Sequence, residues 1–289
     1  MRRTSSMGLG FPPFTRAVKQ LLIANGAVFI AVALLDAFVR GAEPWIQFHF
    51  GLVPVLVVHG WLWQLVTYAF LHAGLLHILF NMLALWMFGA PLEQDWGYNI
   101  FMQFYFFCAI GGALTTVAVS FTHLLNADPR ISTVGASGAI FGLLLAFGIL
   151  HAESEIMLFP LPFMIKAKYF IIGLIFIEVY LTLSAARQPG ESVAYMAHMG
   201  GLLFGYLWLK FVPRRGFGYA ASEKAFGLRN SYYRWKRRRA AKKFEVYMRK
   251  HDRADYKHED YFDEYGNYRD PDQPGNGKSN GDSRGGWVN

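Results

Sequence analysis

Residues 135–151, GASGAIFGLLLAFGILH, form an apolar stretch typical of a membrane span, yet a serine stands near its start. Polar side chains are unfavourable inside a lipid bilayer, so Ser137 is a candidate functional residue. Six stretches in all have this apolar character, and they cover about residues 17–39, 76–90, 100–122, 136–151, 168–186 and 195–212. The sequence therefore predicts an all-α membrane domain over residues 17–212, with six transmembrane helices.

The composition indicates a membrane body followed by a polar, basic tail. Of the 289 residues, 54% are hydrophobic and 17% are charged, which is more apolar than an ordinary soluble domain. Acidic and basic residues balance over residues 1–209, so residues 210–289 carry the whole net charge of +8. The single cysteine, Cys108, lies in an apolar run and can form no intramolecular disulfide.

Three segments lie outside the predicted membrane domain. Residues 1–16 are expected to form a cytoplasmic flank, residues 213–257 a basic, helical cytoplasmic segment, and residues 258–289 a disordered tail rich in Gly, Asn, Asp and Pro. The basic segment either binds anionic lipid headgroups or is a solvated flank of the last span. It contains no recognisable nucleic-acid-binding motif, so nucleic acid is not an expected partner.

Lysine and arginine are unevenly distributed among the connections between the spans. They concentrate before the first span, in the loop at 152–168 and after the sixth span. By the positive-inside bias we expect both termini on the cytoplasmic side, which requires an even number of spans. Residues 40–75, between the first two spans, are rich in Trp and Phe, and we expect them to form an interfacial outer segment.

Two other predicted spans carry polar residues at a depth similar to that of Ser137. His77 and Asn81 lie in the second span and His198 lies in the sixth. Counting ~1.5 Å per residue from the charged cytoplasmic end of each span puts Ser137, His198 and Asn81 roughly 24, 18 and 18 Å above the inner face. In a ~30 Å hydrocarbon core, this layer lies roughly 6–12 Å below the outer surface. We therefore expect these residues to form one site.

Small residues at four-residue spacing predict that the fourth and sixth spans pack closely. They are Gly138 and Gly142 in the fourth span, and Ala197, Gly201 and Gly205 in the sixth. Close packing brings the Ser137 hydroxyl within reach of His198, as a nucleophile and its general base require. The Ser137 backbone N–H, His77 and Asn81 are expected to donate hydrogen bonds to the oxyanion of the reaction.

The expected catalytic pair has no clear acidic partner. Glu178 lies near the middle of the fifth predicted span, and a role as a third catalytic member stays open. We expect a structural or pore-facing role for it instead. His198 is then oriented by packing against Phe141 rather than by a carboxylate.

In combination, these motifs resemble those of the rhomboid family of intramembrane serine proteases, over about residues 55–212. The matching motifs are His72 with His77-Ile-Leu-Phe-Asn81, Gly135-Ala136-Ser137-Gly138, and Ala197-His198-Met199-Gly200-Gly201 with Gly205. Two positions depart from the family pattern. Gln64 follows Trp63 where the family usually has arginine, and Phe141 stands where tyrosine is common.

The resemblance implies a six-helix bundle with an interfacial outer loop between helices 1 and 2 and a cavity that opens outward. It implies a serine endopeptidase that cleaves transmembrane proteins near the outer face without a cofactor or metal. Ser137 and His198 would be catalytic, with His77, Asn81 and the Ser137 N–H stabilising the oxyanion. We expect a bacterial inner (plasma) membrane location. Four residues are expected to support the site: Gly135, Gly138, Phe141 and Gly201.

Two other classes of function stay open. In a catalytically silent rhomboid-like chaperone or binding protein, Ser137 and His198 would be packing residues. Retention of both, together with His77 and Asn81, favours the protease. A channel or transporter would use the same polar groups as a path, but the sequence has no detectable inverted repeat.

Overall fold

A computed structural model describes residues 12–122, 127–157, 164–185, 192–212, 232–242 and 246. The chain divides into two compact units, Met1–Ala220 and Ala221–Asn289. The helices of the first unit are α1 (Arg16–Phe38), α2 (Ala42–Phe50), α3 (Pro54–Val58), α4 (Gln64–Thr67), a 3₁₀ turn (Tyr68–Phe70), α5 (Leu75–Trp96), α6 (Tyr98–Ser120), α7 (Ser137–Leu150), α8 (Ala167–Ala185) and α9 (Ser192–Phe211). Two short antiparallel strands, β1 (Glu155–Met157) and β2 (Met164–Lys166), lie between α7 and α8.

Each of the six predicted apolar stretches is a helix in the structure. Four helices of the described chain, α1, α5, α6 and α8, are long and apolar enough to cross a membrane. The helix α7 is apolar but has only 14 residues, and α9 has 20. Large apolar side chains on α1 and α8 are exposed, among them Ile30, Leu34, Phe176 and Leu183. These surfaces are suited to contact with lipid.

The helix α5 extends beyond the predicted end of its span at residue 90, passing through Pro91 to Trp96. Glu93, close to the end of this helix, is buried, with 6% of its surface exposed. Its carboxylate accepts hydrogen bonds from the N–H groups of Ala17, at 2.8 Å, and Val18, at 3.0 Å, and from the Thr15 hydroxyl. These amides belong to the first turn of α1, where no intrahelical acceptor exists. Glu93 therefore caps α1 from a neighbouring helix.

The outer segment between α1 and α5 contains α2, α3, α4 and the 3₁₀ turn, and Gln64 ties it together. This side chain is fully buried. Its Oε1 accepts from the Val53 N–H at 3.0 Å, while its Nε2 donates to the carbonyls of Phe48, at 3.0 Å, and His49, at 3.3 Å. The glutamine at the position where the family usually has arginine thus joins the last turn of α2, and the loop after it, to the start of α4.

The helices α7 and α9 approach each other through glycine. A Cβ on Gly201 would lie 1.8 Å from the carbonyl oxygen of Gly138, and one on Gly205 would lie 3.0 Å from the Cα of Gly142. No side chain fits in this contact, so the backbones pack directly against each other. The predicted close packing of these two helices is confirmed. The helix α6 packs against both and buries Phe101, Phe104 and Tyr105.

In the second unit, residues 232–242 are helical and exposed. They carry the aromatic residues Tyr232, Tyr233 and Trp235, and the Arg239 guanidinium lies 5.2 Å from the centre of the Trp235 ring. This stretch lies within the segment 213–257, for which the sequence predicts a basic helical segment. The predictions for residues 1–11, 213–231, 243–245 and 247–289 lie outside the described residues.

Candidate active site

Ser137 and His198 are in direct contact. Ser137 is the first residue of α7 and His198 lies in the second turn of α9. The Ser137 Oγ is 2.7 Å from the His198 Nε2, which is hydrogen-bond distance. The backbone contact of α7 with α9 at Gly138 and Gly201 explains this proximity, because these glycines are close neighbours of the pair in sequence.

The loop before α7 sets the position of Ser137. Gly135 has a φ of +130°, a conformation that residues with a Cβ rarely adopt, and its N–H donates to the Tyr68 carbonyl at 3.0 Å. A Cβ on Gly135 would lie 2.8 Å from Cε1 and Nε2 of His77. This residue must therefore be glycine for two reasons, the backbone conformation and the close approach of the imidazole.

Two backbone hydrogen bonds connect the loop before α7 to the outer segment. The N–H of Leu52 donates to the Thr133 carbonyl and the N–H of Thr133 donates to the Leu52 carbonyl, each at 2.9 Å. The Tyr68 hydroxyl donates to the Ala109 carbonyl at 2.8 Å and lies 3.0 Å from the position of a Cβ on Gly138. The start of α7 is thus held from two sides.

Groups that can donate hydrogen bonds lie on α7 itself and on α5, which packs against it. Its own N–H lies at the first position of α7, where an amide has no intrahelical acceptor and the helix dipole is positive. His77 and Asn81 lie one turn apart on α5, and His77 reaches the same side of the loop as Ser137. Asn81 is buried, and within the described part of the chain its Nδ2 has no hydrogen-bond partner. The structure brings His77 to the Ser137–His198 pair, with Asn81 one turn further along α5.

His72 lies behind His77. The two rings meet edge to face, with their centres 5.1 Å apart. Burial, and secondarily the nearby His77, lowers the pKa of His72 to about 4. His72 is therefore a neutral ring at pH 7 that packs against His77.

Aromatic rings hold the His198 imidazole. The Phe141 ring stacks on it with centres 4.3 Å apart and planes 13° from parallel, and Tyr195 meets it edge-on at 6.2 Å. The predicted packing of His198 against Phe141 is confirmed. Phenylalanine provides the stacking surface without a hydroxyl.

The prediction that no carboxylate contacts His198 is wrong. Glu178 Oε2 of α8 lies 3.2 Å from His198 Nδ1. The Glu178 side chain is 8% exposed. An ionisable residue in the middle of an apolar helix was the signal for this contact, but the sequence does not show which way the residue faces. The sequence also did not reveal the structural role of Gln64, which is buried and makes three hydrogen bonds within the outer segment.

Comparison with known proteins identifies the family. The sequence profile of the Rhomboid domain matches residues 59–215, more than half of the chain. The chain is 31% identical over 202 residues to Rhomboid-like protease 1 of Toxoplasma gondii, covering 68% of this chain and 64% of that protein. It is 32% identical over 152 residues to the mitochondrial Rhomboid protein 1 of Saccharomyces cerevisiae, covering 52% of this chain and 42% of the yeast protein.

A third relative, RHOMBOID-like protein 5 of Arabidopsis thaliana, is 32% identical over 165 residues, covering 57% of this chain and 48% of the plant protein. The chain thus spans less than two thirds of the length of each of these three relatives. The matched region contains α5 to α9, including three of the four helices that are long and apolar enough to cross a membrane. This chain is an integral membrane protein and belongs to the rhomboid family.

Proposed function

We propose that this protein is an intramembrane serine endopeptidase that cleaves transmembrane proteins near the outer face of the membrane. The observation that carries the proposal is the 2.7 Å contact between Ser137 Oγ and His198 Nε2. A half-buried serine and histidine from different helices, in hydrogen-bond contact, form a nucleophile with its general base. The Toxoplasma relative, which carries the name protease, supports the same reaction class.

The reaction follows from the groups around Ser137. The hydroxyl attacks the scissile carbonyl while His198 Nε2 accepts its proton, and the imidazolium later gives that proton to the leaving amine. The Ser137 N–H, His77 and Asn81 donate to the oxyanion that forms on the carbonyl oxygen. The unpartnered Nδ2 of Asn81 supports this assignment, because a buried donor without an acceptor is unfavourable unless a ligand supplies one.

The length of α7 supports a site below the membrane surface. Its 14 residues make a helix about 21 Å long. The hydrocarbon core is ~30 Å thick, so a helix that starts at Ser137 and ends at the inner face leaves the serine roughly 9 Å below the outer face. We propose six spans, formed by α1 and α5 to α9, with both termini in the cytoplasm. The segment from α2 to the 3₁₀ turn then lies at the outer interface.

Outside this membrane domain of residues 17–212, we propose that residues 213–257 contact anionic lipid headgroups at the cytoplasmic face. The exposed helix at 232–242 supports this, because it combines basic and aromatic side chains. Location in a bacterial plasma membrane stays a prediction. The relatives include a mitochondrial protein of yeast.

The alternative is a catalytically silent rhomboid-like chaperone or binding protein. In that case Ser137 and His198 would serve only in packing. The donors around Ser137 argue against this alternative, since packing requires neither an unpartnered Asn81 amide nor a loop shaped by Gly135 to admit His77.

Substrate cleavage in a bilayer tests the proposal. The purified chain is reconstituted with a panel of single-pass membrane proteins, and the products are identified by intact-mass spectrometry. We expect cuts within or beside the substrate's transmembrane segment, lost in Ser137→Ala. The control is Ser120→Ala, which removes a buried hydroxyl that donates to the Thr116 carbonyl of its own helix. Cleavage that persists in Ser137→Ala would contradict the proposal.

A further inference from the structure

The helix α8 buries one narrow stripe of side chains, and Glu178 lies on it. The stripe consists of Ala167, Ile171, Glu178, Thr182 and Ala185. Most of the remaining surface of α8 carries exposed or half-exposed apolar residues such as Phe176 and Leu183. A carboxylate could be solvated more easily at either end of this helix than in its middle. Its burial at mid-helix therefore requires a specific partner.

That partner is His198. The Glu178 Oε2 lies 3.2 Å from Nδ1, and the Ser137 Oγ lies 2.7 Å from Nε2. The two contacts use opposite nitrogens of one ring, so serine, histidine and glutamate form a continuous chain across α7, α9 and α8. The side chains of His198 and Glu178 are 18% and 8% exposed, so water screens their interaction only weakly.

The contact has a consequence for the histidine tautomer. A neutral imidazole carries one N–H, and the other nitrogen is an acceptor. A carboxylate at Nδ1 holds the proton on that nitrogen, which leaves the lone pair of Nε2 facing the Ser137 hydroxyl. When Nε2 accepts the serine proton, the Nδ1–H still points at Glu178, and the positive ring lies beside a negative group. The carboxylate itself gains no proton in this step.

The other groups that face the ring do not replace this interaction. Ser137 faces it from α7, Tyr195 from α9 and His77 from α5. Among the residues that the structure describes, Glu178 is the one carboxylate in contact with His198. Phe141 stacking fixes the plane of the ring but does not distinguish its two nitrogens.

We propose that Glu178 is a positioning residue that orients His198 and sets its tautomer, so that this protein works with a Ser137–His198–Glu178 triad rather than a pair. The inference rests on the proposed function.

Two measurements on the full chain in detergent test it. The first is the rate of covalent labelling of Ser137 by a fluorophosphonate probe. We expect Glu178→Gln to label about 10²–10⁴-fold more slowly. The upper end of this range is the loss found when the buried acid of a serine-protease triad is replaced by its amide. Glu178→Asp should recover part of the rate. The control is Thr182→Val, one turn away on the same stripe, which should label as the wild type does. Wild-type labelling in Glu178→Gln would overturn the proposal.

The second measurement is the ¹⁵N NMR spectrum of histidine-labelled wild-type protein at a pH where the ring is neutral, with His198 assigned by its loss in His198→Asn. The Nδ1–H tautomer is expected and the Nε2–H tautomer would overturn the proposal. This measurement requires neither a folded Glu178 variant nor activity. If the wild type does not label at all, the proposed function fails, while the tautomer still decides the role of Glu178.

Discussion

Gly138 and Gly201 meet backbone to backbone, and a Cβ added to Gly201 would lie 1.8 Å from the Gly138 carbonyl oxygen. No rotamer change relieves a clash between a Cβ and a backbone atom, so a larger residue must push α7 and α9 apart. The contact lies one residue from Ser137 and three from His198. The separation of two helices thus decides whether Ser137 reaches His198.

Gly201→Ala should therefore reduce both stability and labelling. We expect a loss of about 1–3 kcal/mol or more in the free energy of unfolding, as for an overpacked core, together with strongly reduced reaction of Ser137 with a fluorophosphonate. Thermal unfolding in detergent measures the first effect. The matched control is Gly173→Ala in α8, where a Cβ meets no atom within 4 Å. An unchanged Gly201→Ala protein would refute the direct contact.

Asn81→Ala should lower the catalytic rate without unfolding the protein. Its Nδ2 is a buried donor with no partner among the described residues, so its removal breaks no hydrogen bond of the resting protein. Losing one oxyanion donor typically lowers kcat by about 10²–10³-fold. We expect that loss with little change in KM, measured on a cleaved substrate. Asn99→Ala, at an exposed position of α6, is the control. A change confined to KM would place Asn81 in substrate binding instead.

Gln64→Arg should destabilise this protein, although arginine is the family's usual residue there. The amide of Gln64 accepts one hydrogen bond, from the Val53 N–H, and donates two. Arginine has no acceptor, so the buried Val53 amide would be left unpaired, at a cost of about 1–3 kcal/mol. A lower apparent Tm than that of the wild type is expected. An equal or higher Tm would show that the outer segment rearranges to accept the cation.

Replacing Arg237, Arg238 and Arg239 by alanine should weaken attraction to anionic membranes. Each basic residue near such a surface contributes about 1 kcal/mol, so the triple variant should bind on the order of 100-fold more weakly. The fraction of protein in zwitterionic nanodiscs that sediments with anionic vesicles measures this binding, and zwitterionic vesicles are the control. Equal binding by both proteins would indicate a solvated flank, and labelling of Ser137 should be unaffected.

The six long apolar helices could be predicted from the sequence because apolar run length determines them almost alone, whereas the short helices α2, α3 and α4 were not predicted. The extension of α5 past Pro91 was missed, because a proline and a glutamate in sequence indicate the end of an apolar span. The sequence does not show that the Glu93 carboxylate binds the amides at the first turn of α1. The spacing of small residues also correctly predicted the contact of α7 with α9.

The orientation of Glu178 could not be predicted, for a physical reason. Residues 169–181 of α8 are apolar or aromatic around most of the helix, so no periodicity distinguishes the face toward α9 from the face toward lipid. The direction in which Glu178 points is determined by its partner His198, and that residue lies in α9. The part played by Gln64 could not be predicted either, because its three hydrogen-bond partners are backbone groups of Phe48, His49 and Val53.

The central claim is that Ser137 is a nucleophile activated by His198. The most direct test is mass-spectrometric detection of a fluorophosphonate adduct on the purified protein. We predict an adduct on Ser137 in the wild type, no adduct in Ser137→Ala, and a strongly reduced yield in His198→Ala. An adduct on another residue, or equal labelling of all three proteins, would contradict the account.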